Sequence, residues 1–129
     1  MKKQEMFNIA VRHLLKQGKV CVEYKNGQMH CRYRGRKGTK CAIGALIPDD
    51  KYNESMEETS AFVPEIYETF GAKHFQREFV SDLQQCLHDT YYLCNSKEYL
   101  VALKRAIPVF AKNWKINVPK DVLAKLKLI

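Results

Sequence analysis

An Asn-Gly pair at residues 26 and 27 is the feature that most constrains how this chain can fold. Both residue types tolerate the positive φ angles of a two-residue turn, so Asn-Gly between two strand-like segments is a strong hairpin signal. Residues 20–24 are β-branched and aromatic, and residues 29–34 alternate in polarity. The sequence therefore predicts an antiparallel β-hairpin, with Arg32 and Arg34 on a solvated face of its second strand.

Helical periodicity surrounds this hairpin. Residues 3–17 place apolar side chains at spacings of three and four, and Gly18 is a suitable terminator. After the hairpin, residues 40–47 are predicted to form a short helix that Thr39 caps and that a proline ends. Residues 49–60 are polar and acidic, which predicts a surface loop.

The remainder of the chain is predicted to be mostly helical. Pro64 begins one helix, residues 75–93 form another, and Ser96 caps a third. Pro108 lies within this third pattern and is expected to kink or split it. A last helix follows Pro119. The prediction is a small α+β fold, a single domain over residues 1–129 with an N-terminal helix, one antiparallel hairpin and a mostly helical remainder.

Composition narrows the class of protein. No run approaches the 18 apolar residues of a membrane span, and the charged N-terminus lacks the apolar region of a signal peptide. Five irregularly spaced cysteines without a C-x-x-C pair argue against both a secreted disulfide framework and a zinc site. We therefore expect a cytoplasmic protein with no membrane, metal or cofactor.

The net charge of +8 is unevenly distributed along the chain. Residues 1–51 carry +8, residues 52–92 carry −6, and residues 93–129 carry +6. This asymmetry favours a polyanion or an acidic protein surface as partner. The alternative is that the acidic middle packs beside the basic ends and cancels their field.

The basic loop, residues 32–40, is the first candidate binding site. This loop leads directly into the predicted 40–47 helix. A basic, glycine-containing loop before a helix N-terminus can bind phosphate groups, because the free N–H groups and the helix dipole both favour an anion there. Tyr33 is placed to stack on a base. A solvated hairpin tip is the alternative, and the spacing is not that of a P-loop. The expected contacts are Arg32, Arg34, Arg36, Lys37 and Lys40, with Lys104, Arg105, Lys112 and Lys115 on the outer face of a later helix as a second set.

Cys41 supports a different hypothesis. A cysteine in a first helical turn beside Lys40 is expected to have a lowered pKa, and His88 downstream would act as its base. Asp89 follows His88 directly, and adjacent helical residues point about 100° apart, so Asp89 is not expected to orient that histidine. The apolar surroundings favour a buried structural cysteine instead, with Gly44 allowing close packing against the hairpin.

One pattern carries a resemblance. The signature Tyr-Arg-Gly-x-x-Gly-x-Lys-Cys-Ala-x-Gly-x-Leu-Ile-Pro-Asp over residues 33–49, with a His-Asp pair at 88 and 89, resembles that of a family of small bacterial and phage proteins. The resemblance is specific over residues 1–60 and implies no particular activity. It does suggest a phage or prophage accessory protein, of the kind that binds and inhibits host machinery.

Three functions follow as hypotheses. The first is a non-enzymatic, phage-encoded protein that binds nucleic acid, or a host complex that handles nucleic acid, through the basic loop. The second is a cysteine-dependent hydrolase or transferase that uses Cys41. The third is a protein-interaction module that presents the acidic stretch 49–68 to a basic partner, through Glu57, Glu58, Glu65 and Glu68.

Overall fold

A computed structural model describes all residues from 1 to 129. It confirms the predicted α+β fold, in which one helix and one antiparallel hairpin precede a mostly helical remainder. None of its helices combines the length and apolar composition that crossing a bilayer demands. The elements are α1 (Lys3–Gln17), β1 (Val22–Lys25), β2 (Gln28–Cys31), α2 (Pro64–Tyr67), α3 (Arg77–Leu87), α4 (Ser96–Trp114) and α5 (Lys120–Lys127).

The hairpin has the predicted turn and shorter strands than predicted. Asn26 and Gly27 both have positive φ, at 53° and 78°, and Val22 pairs with Cys31 at the far end of the ladder. The second strand ends there because the chain then turns away, and a single bridge from Arg34 to Lys40 closes the loop that follows.

One apolar core joins the helices to the hairpin and the loops. Helix α1 buries an uninterrupted stripe from Met6 to Leu15, as its periodicity predicts. Phe7 stacks on Phe110 of α4 at 5.8 Å between ring centroids, and Phe79 of α3 meets the Trp114 ring edge-on at 5.2 Å. These aromatic contacts pack the long helix α4 against both α1 and α3.

The predicted helix at 40–47 does not form, and the segment makes a series of tight turns instead. Two of its first amides find acceptors elsewhere in the fold: the Cys41 N–H donates to the Tyr33 carbonyl at 3.2 Å, and the Ile43 N–H to the Gln84 side-chain oxygen at 3.0 Å. Thr39 caps nothing, because no helix follows it, and its hydroxyl donates back to the Arg36 carbonyl at 2.9 Å. The helix N-terminus on which the phosphate hypothesis depended is therefore absent.

Two predicted boundaries also differ. Helix α3 ends at Leu87 rather than at residue 93, because His88 leaves the helical conformation with φ −138° and ψ −65°. Helix α4 runs unbroken through Pro108, so the expected split was wrong. Pro108 is exposed while Ile107 and Phe110 beside it are buried, so the packing on the inner face outweighs the hydrogen bond that proline removes.

Candidate nucleic-acid interface

Three of the five loop cations, Arg32, Arg34 and Lys40, are committed to internal ion pairs. Arg32 contacts Glu23 at 2.7 Å and Glu54 at 2.6 Å. Arg34 contacts Asp49 at 2.8 Å and donates to the Ile47 carbonyl. Their side chains are only 17% and 18% exposed, so the expected solvated arginine face was wrong. Charge that is neutralised inside the fold is not free to meet a phosphate.

Glu57 holds the same region together from the acidic stretch. Its carboxylate accepts hydrogen bonds from the backbone N–H groups of Tyr33 and Arg34 at 2.9 and 3.1 Å, and from the Tyr52 hydroxyl. The acidic middle of the chain therefore packs beside the basic loop and cancels much of its charge, which was the alternative to a polyanion site.

The rest of the basic loop is less constrained. Tyr33 is 7% exposed and its hydroxyl donates to the Thr59 carbonyl, so its ring is not available for stacking on a base. Lys40 is half-buried, with its ammonium 3.6 Å from Asp49. Arg36 and Lys37 alone are exposed and outside any ion pair. The loop thus retains two free cations.

A larger positive surface lies on α4, on α5 and at the ends of these helices. Every lysine and arginine from residue 93 onward is exposed, and none takes part in an ion pair. We call this set the C-terminal basic surface. It consists of Lys97, Lys104, Arg105, Lys112, Lys115, Lys120, Lys125 and Lys127.

Helical geometry aligns the α4 members of this surface. At 100° per residue, Lys97, Lys104, Arg105 and Lys112 fall within an arc of about 100°, opposite the buried side of the helix. Their span of 15 residues corresponds to about 22 Å along the axis. The Lys104 ammonium donates to the Ile129 carbonyl at 2.8 Å, which joins this stripe to the chain beyond α5.

The two acidic residues of this region do not neutralise it. The Glu98 carboxylate accepts the Asn95 N–H at 2.9 Å, where it closes a capping box at the start of α4. Asp121 forms a two-point contact with Arg12 of α1, at 2.9 and 3.0 Å. Neither carboxylate pairs with a cation of the C-terminal basic surface, which therefore keeps its positive charge.

Cys41 does not have the environment of a nucleophile. Its side chain is fully buried, and this burial raises the pKa of the thiol well above its ordinary value, where the sequence predicted a lowered one. Its sulfur accepts the Gly44 N–H at 3.2 Å. The structure thus favours the alternative of a structural cysteine.

His88, the predicted base, is also fully buried and has both ring nitrogens occupied. Its Nε2 accepts the backbone N–H of Cys21 at 2.8 Å, and its Nδ1 lies 2.9 Å from an Asp89 carboxylate oxygen. The expectation that Asp89 could not orient His88 was wrong, because His88 has left the helix and the two side chains turn toward each other. Neither nitrogen is free to take a proton from a thiol.

Cys31 completes a cluster with these two residues, and the three potential ligand atoms lie within 4.8 Å of one another. The hydrogen bonds argue against a metal there. A backbone N–H that donates to Nε2 requires the proton of neutral His88 to be on Nδ1, the nitrogen that faces the cluster. Burial and the Asp89 carboxylate also raise the pKa of the Cys31 thiol to about 12, so without a metal this thiol retains its proton. The cluster ties the hairpin to the end of α3.

The acidic stretch, like the basic loop, contains some charged side chains that are held in internal contacts and others that are free. Glu57 is buried in the contacts described above, with a side chain 7% exposed. Asp50, Glu58, Glu65 and Glu68 are exposed and outside any ion pair. These four scattered carboxylates form a smaller charged set than the eight cations of the C-terminal basic surface.

Sequence reasoning placed four members of this surface as secondary contacts and missed Lys97, Lys120, Lys125 and Lys127. The signal that would have found them is the excess charge of +6 over residues 93–129, combined with helical periodicity. No protein-family model, curated protein or solved structure matches this chain.

Proposed function

We propose that this protein is a non-enzymatic, cytoplasmic protein that binds the phosphate backbone of nucleic acid, either free or within a host complex, through its C-terminal basic surface. The observation that carries the proposal is a set of eight exposed lysines and arginines, none in an ion pair, on and beside two successive helices of the chain. Phosphate binding by lysine and arginine releases condensed counterions, and this release supplies most of the affinity of nonspecific complexes.

The arrangement of the cations supports this proposal. A stripe of about 22 Å along α4 can face several consecutive phosphates, and the link from Lys104 to Ile129 brings the end of the α5 region beside it. The cations of the basic loop are unsuited to the same task, because Arg32 and Arg34 are held by carboxylates. The contacts proposed here are therefore Lys104, Arg105 and Lys112 on α4, together with the exposed lysines of α5.

The test is fluorescence anisotropy with labelled DNA of about 20 nucleotides, single-stranded and duplex, over a series of salt concentrations. The double variant K104E/K112E should weaken binding and reduce the slope of log affinity against log salt by about two, one unit for each lysine that contacts a phosphate. The matched control is R36E/K37E, which makes the same charge change on the basic loop.

The control variant should bind as the unaltered protein does. Loss of binding by R36E/K37E with retention by K104E/K112E would overturn the assignment and return the site to the basic loop. Failure of the unaltered protein to bind either DNA at low salt would overturn the proposed function itself. Both positions of each variant are exposed, so folding should not be affected.

A further inference from the structure

The C-terminal basic surface borders a groove that one of the proposed phosphate contacts, Arg105, helps to line. The groove lies between α3 and α4 and encloses about 400 Å³. Its apolar lining consists of Cys86, Tyr91, Ala106, Val109, Phe110 and Trp114. A volume of this size lies within the range of pockets that bind small ligands.

Polar groups lie among this apolar lining. Asp82 reaches the groove from α3, and Asn113 reaches it from α4. A carboxylate and an amide offer the acceptors and donors that the edge of a nucleobase requires. The groove therefore combines aromatic surface for a flat heterocycle with polar groups for its edge.

Arg105 connects this groove to the C-terminal basic surface. It lines the groove, and it also lies in the stripe of α4 cations. It is exposed and forms no ion pair, even though Asp82 lines the same groove. A phosphate bound at Arg105 would place the attached nucleotide at the mouth of the groove.

We infer that the protein binds nucleic acid as a single strand, with one unstacked base inserted in the groove between α3 and α4 while Arg105 contacts its phosphate. This inference rests on the proposed function and specifies its ligand. Bases in a duplex are paired and stacked, so a duplex would meet only the cations outside the groove. Stacking of one base on aromatic side chains typically contributes about 1–3 kcal/mol, which is about fivefold to 150-fold in affinity.

Trp114 provides a direct readout, because it is the only tryptophan in the chain and it lines the groove. Titration with single-stranded oligothymidine should quench its fluorescence, and duplex DNA of equal length should not. Anisotropy should show about tenfold tighter binding of the single strand than of the duplex. An abasic strand of the same length carries the same phosphates, and it should bind no tighter than the duplex.

The variant A106F would fill the groove from α4, since Ala106 lines it. It should remove the preference for a single strand and leave duplex binding intact, and that retained binding would report a folded protein. The matched control is I9F, at an apolar residue of α1 that is 41% exposed and lies outside both the groove and the stripe of α4 cations. This control should keep both the quenching and the preference.

The outcomes separate the two proposals. Equal affinity for the single strand, the abasic strand and the duplex, without fluorescence quenching, would overturn the groove inference and leave phosphate binding in place. If A106F kept the full preference, the groove would not hold the base. Absence of binding to any of the three nucleic acids would overturn the proposed function together with the inference.

Discussion

Gly44 lies directly against the backbone of Tyr33. A methyl group built in place of its hydrogen would approach the Tyr33 carbonyl oxygen to 1.8 Å and the carbonyl carbon to 2.7 Å. The segment after the basic loop therefore packs on the chain just beyond the hairpin at a distance that only glycine permits. This contact confirms the predicted role of Gly44 in close packing.

The first prediction concerns this contact. Gly44→Ala should lower the free energy of unfolding by about 3 kcal/mol or more, because two backbone segments would have to separate. Urea denaturation measures the effect. Gly38→Ala is the control: its φ of 74° imposes strain, but nothing lies within 4 Å of the added methyl group. A loss at Gly44 no larger than that at Gly38 would contradict the collision.

The second prediction concerns Glu57, whose carboxylate accepts two backbone N–H groups beside the hairpin. Glu57→Ala should destabilise the protein by about 2–4 kcal/mol, because both donors would lose a charged acceptor. Glu57→Gln keeps one acceptor oxygen and should cost less. Thermal unfolding checks both variants, with Glu58→Ala as an exposed control that should change little. Equal effects at positions 57 and 58 would refute the bridging role.

A third prediction concerns alkaline pH. Burial raises the pKa of Cys41, and it raises the pKa of Cys21 to about 11, whereas both thiols ionise near pH 9 once unfolded. Above pH 9 the folded state thus binds more protons than the unfolded state, and stability falls as pH rises. Each such thiol contributes about 1.4 kcal/mol per pH unit to this slope.

The variant Cys41→Ala should make the alkaline slope shallower by the contribution of one thiol. Urea denaturation at several pH values from 8.5 to about 10.5 measures the slope. Leu46→Ala removes apolar contacts from the same segment without removing a titrating group, so it should lower stability and keep the slope. Identical slopes for the two variants would show that Cys41 does not titrate between the states.

The fourth prediction concerns thiol reactivity. Cys86 is exposed, whereas Cys21 and Cys41 are fully buried. Brief treatment of the folded protein with iodoacetamide should modify Cys86 and leave the two buried thiols unmodified until denaturant is added. Mass spectrometry of peptides identifies the sites. Modification of Cys41 at the rate of Cys86 would revive the hypothesis of thiol catalysis.

Patterns among residues close together in the sequence were sufficient to predict the first helix and the hairpin turn. The apolar stripe of residues 3–17 and the Asn26-Gly27 turn depend on neighbours in sequence, and both formed as predicted. The segment 40–47 failed for the opposite reason. Two of its first amides bond to Tyr33 and Gln84, and a sequence pattern does not show such distant acceptors.

The same distinction applies to the binding residues. The sequence favoured the basic loop as the binding site because its cations are adjacent along the chain. Whether a cation is neutralised depends, however, on the carboxylates that lie near it in the folded protein. Arg32 meets Glu54 across 22 positions of chain, and no local pattern shows that contact. The cations of α4 are spread over many residues, so the sequence predicted them only as secondary contacts. Helical spacing nevertheless brings them onto one face of the helix.

The hairpin turn has one further consequence. Asn26 and Gly27 are exposed, and nothing lies within 4 Å of the space a side chain at Gly27 would occupy. Lengthening such a tip costs little loop-closure entropy, since each doubling of a loop costs only about 0.6 kcal/mol. A peptide epitope or a surface tether could be grafted between these two residues, which would let the protein be immobilised without modifying a cysteine or a lysine.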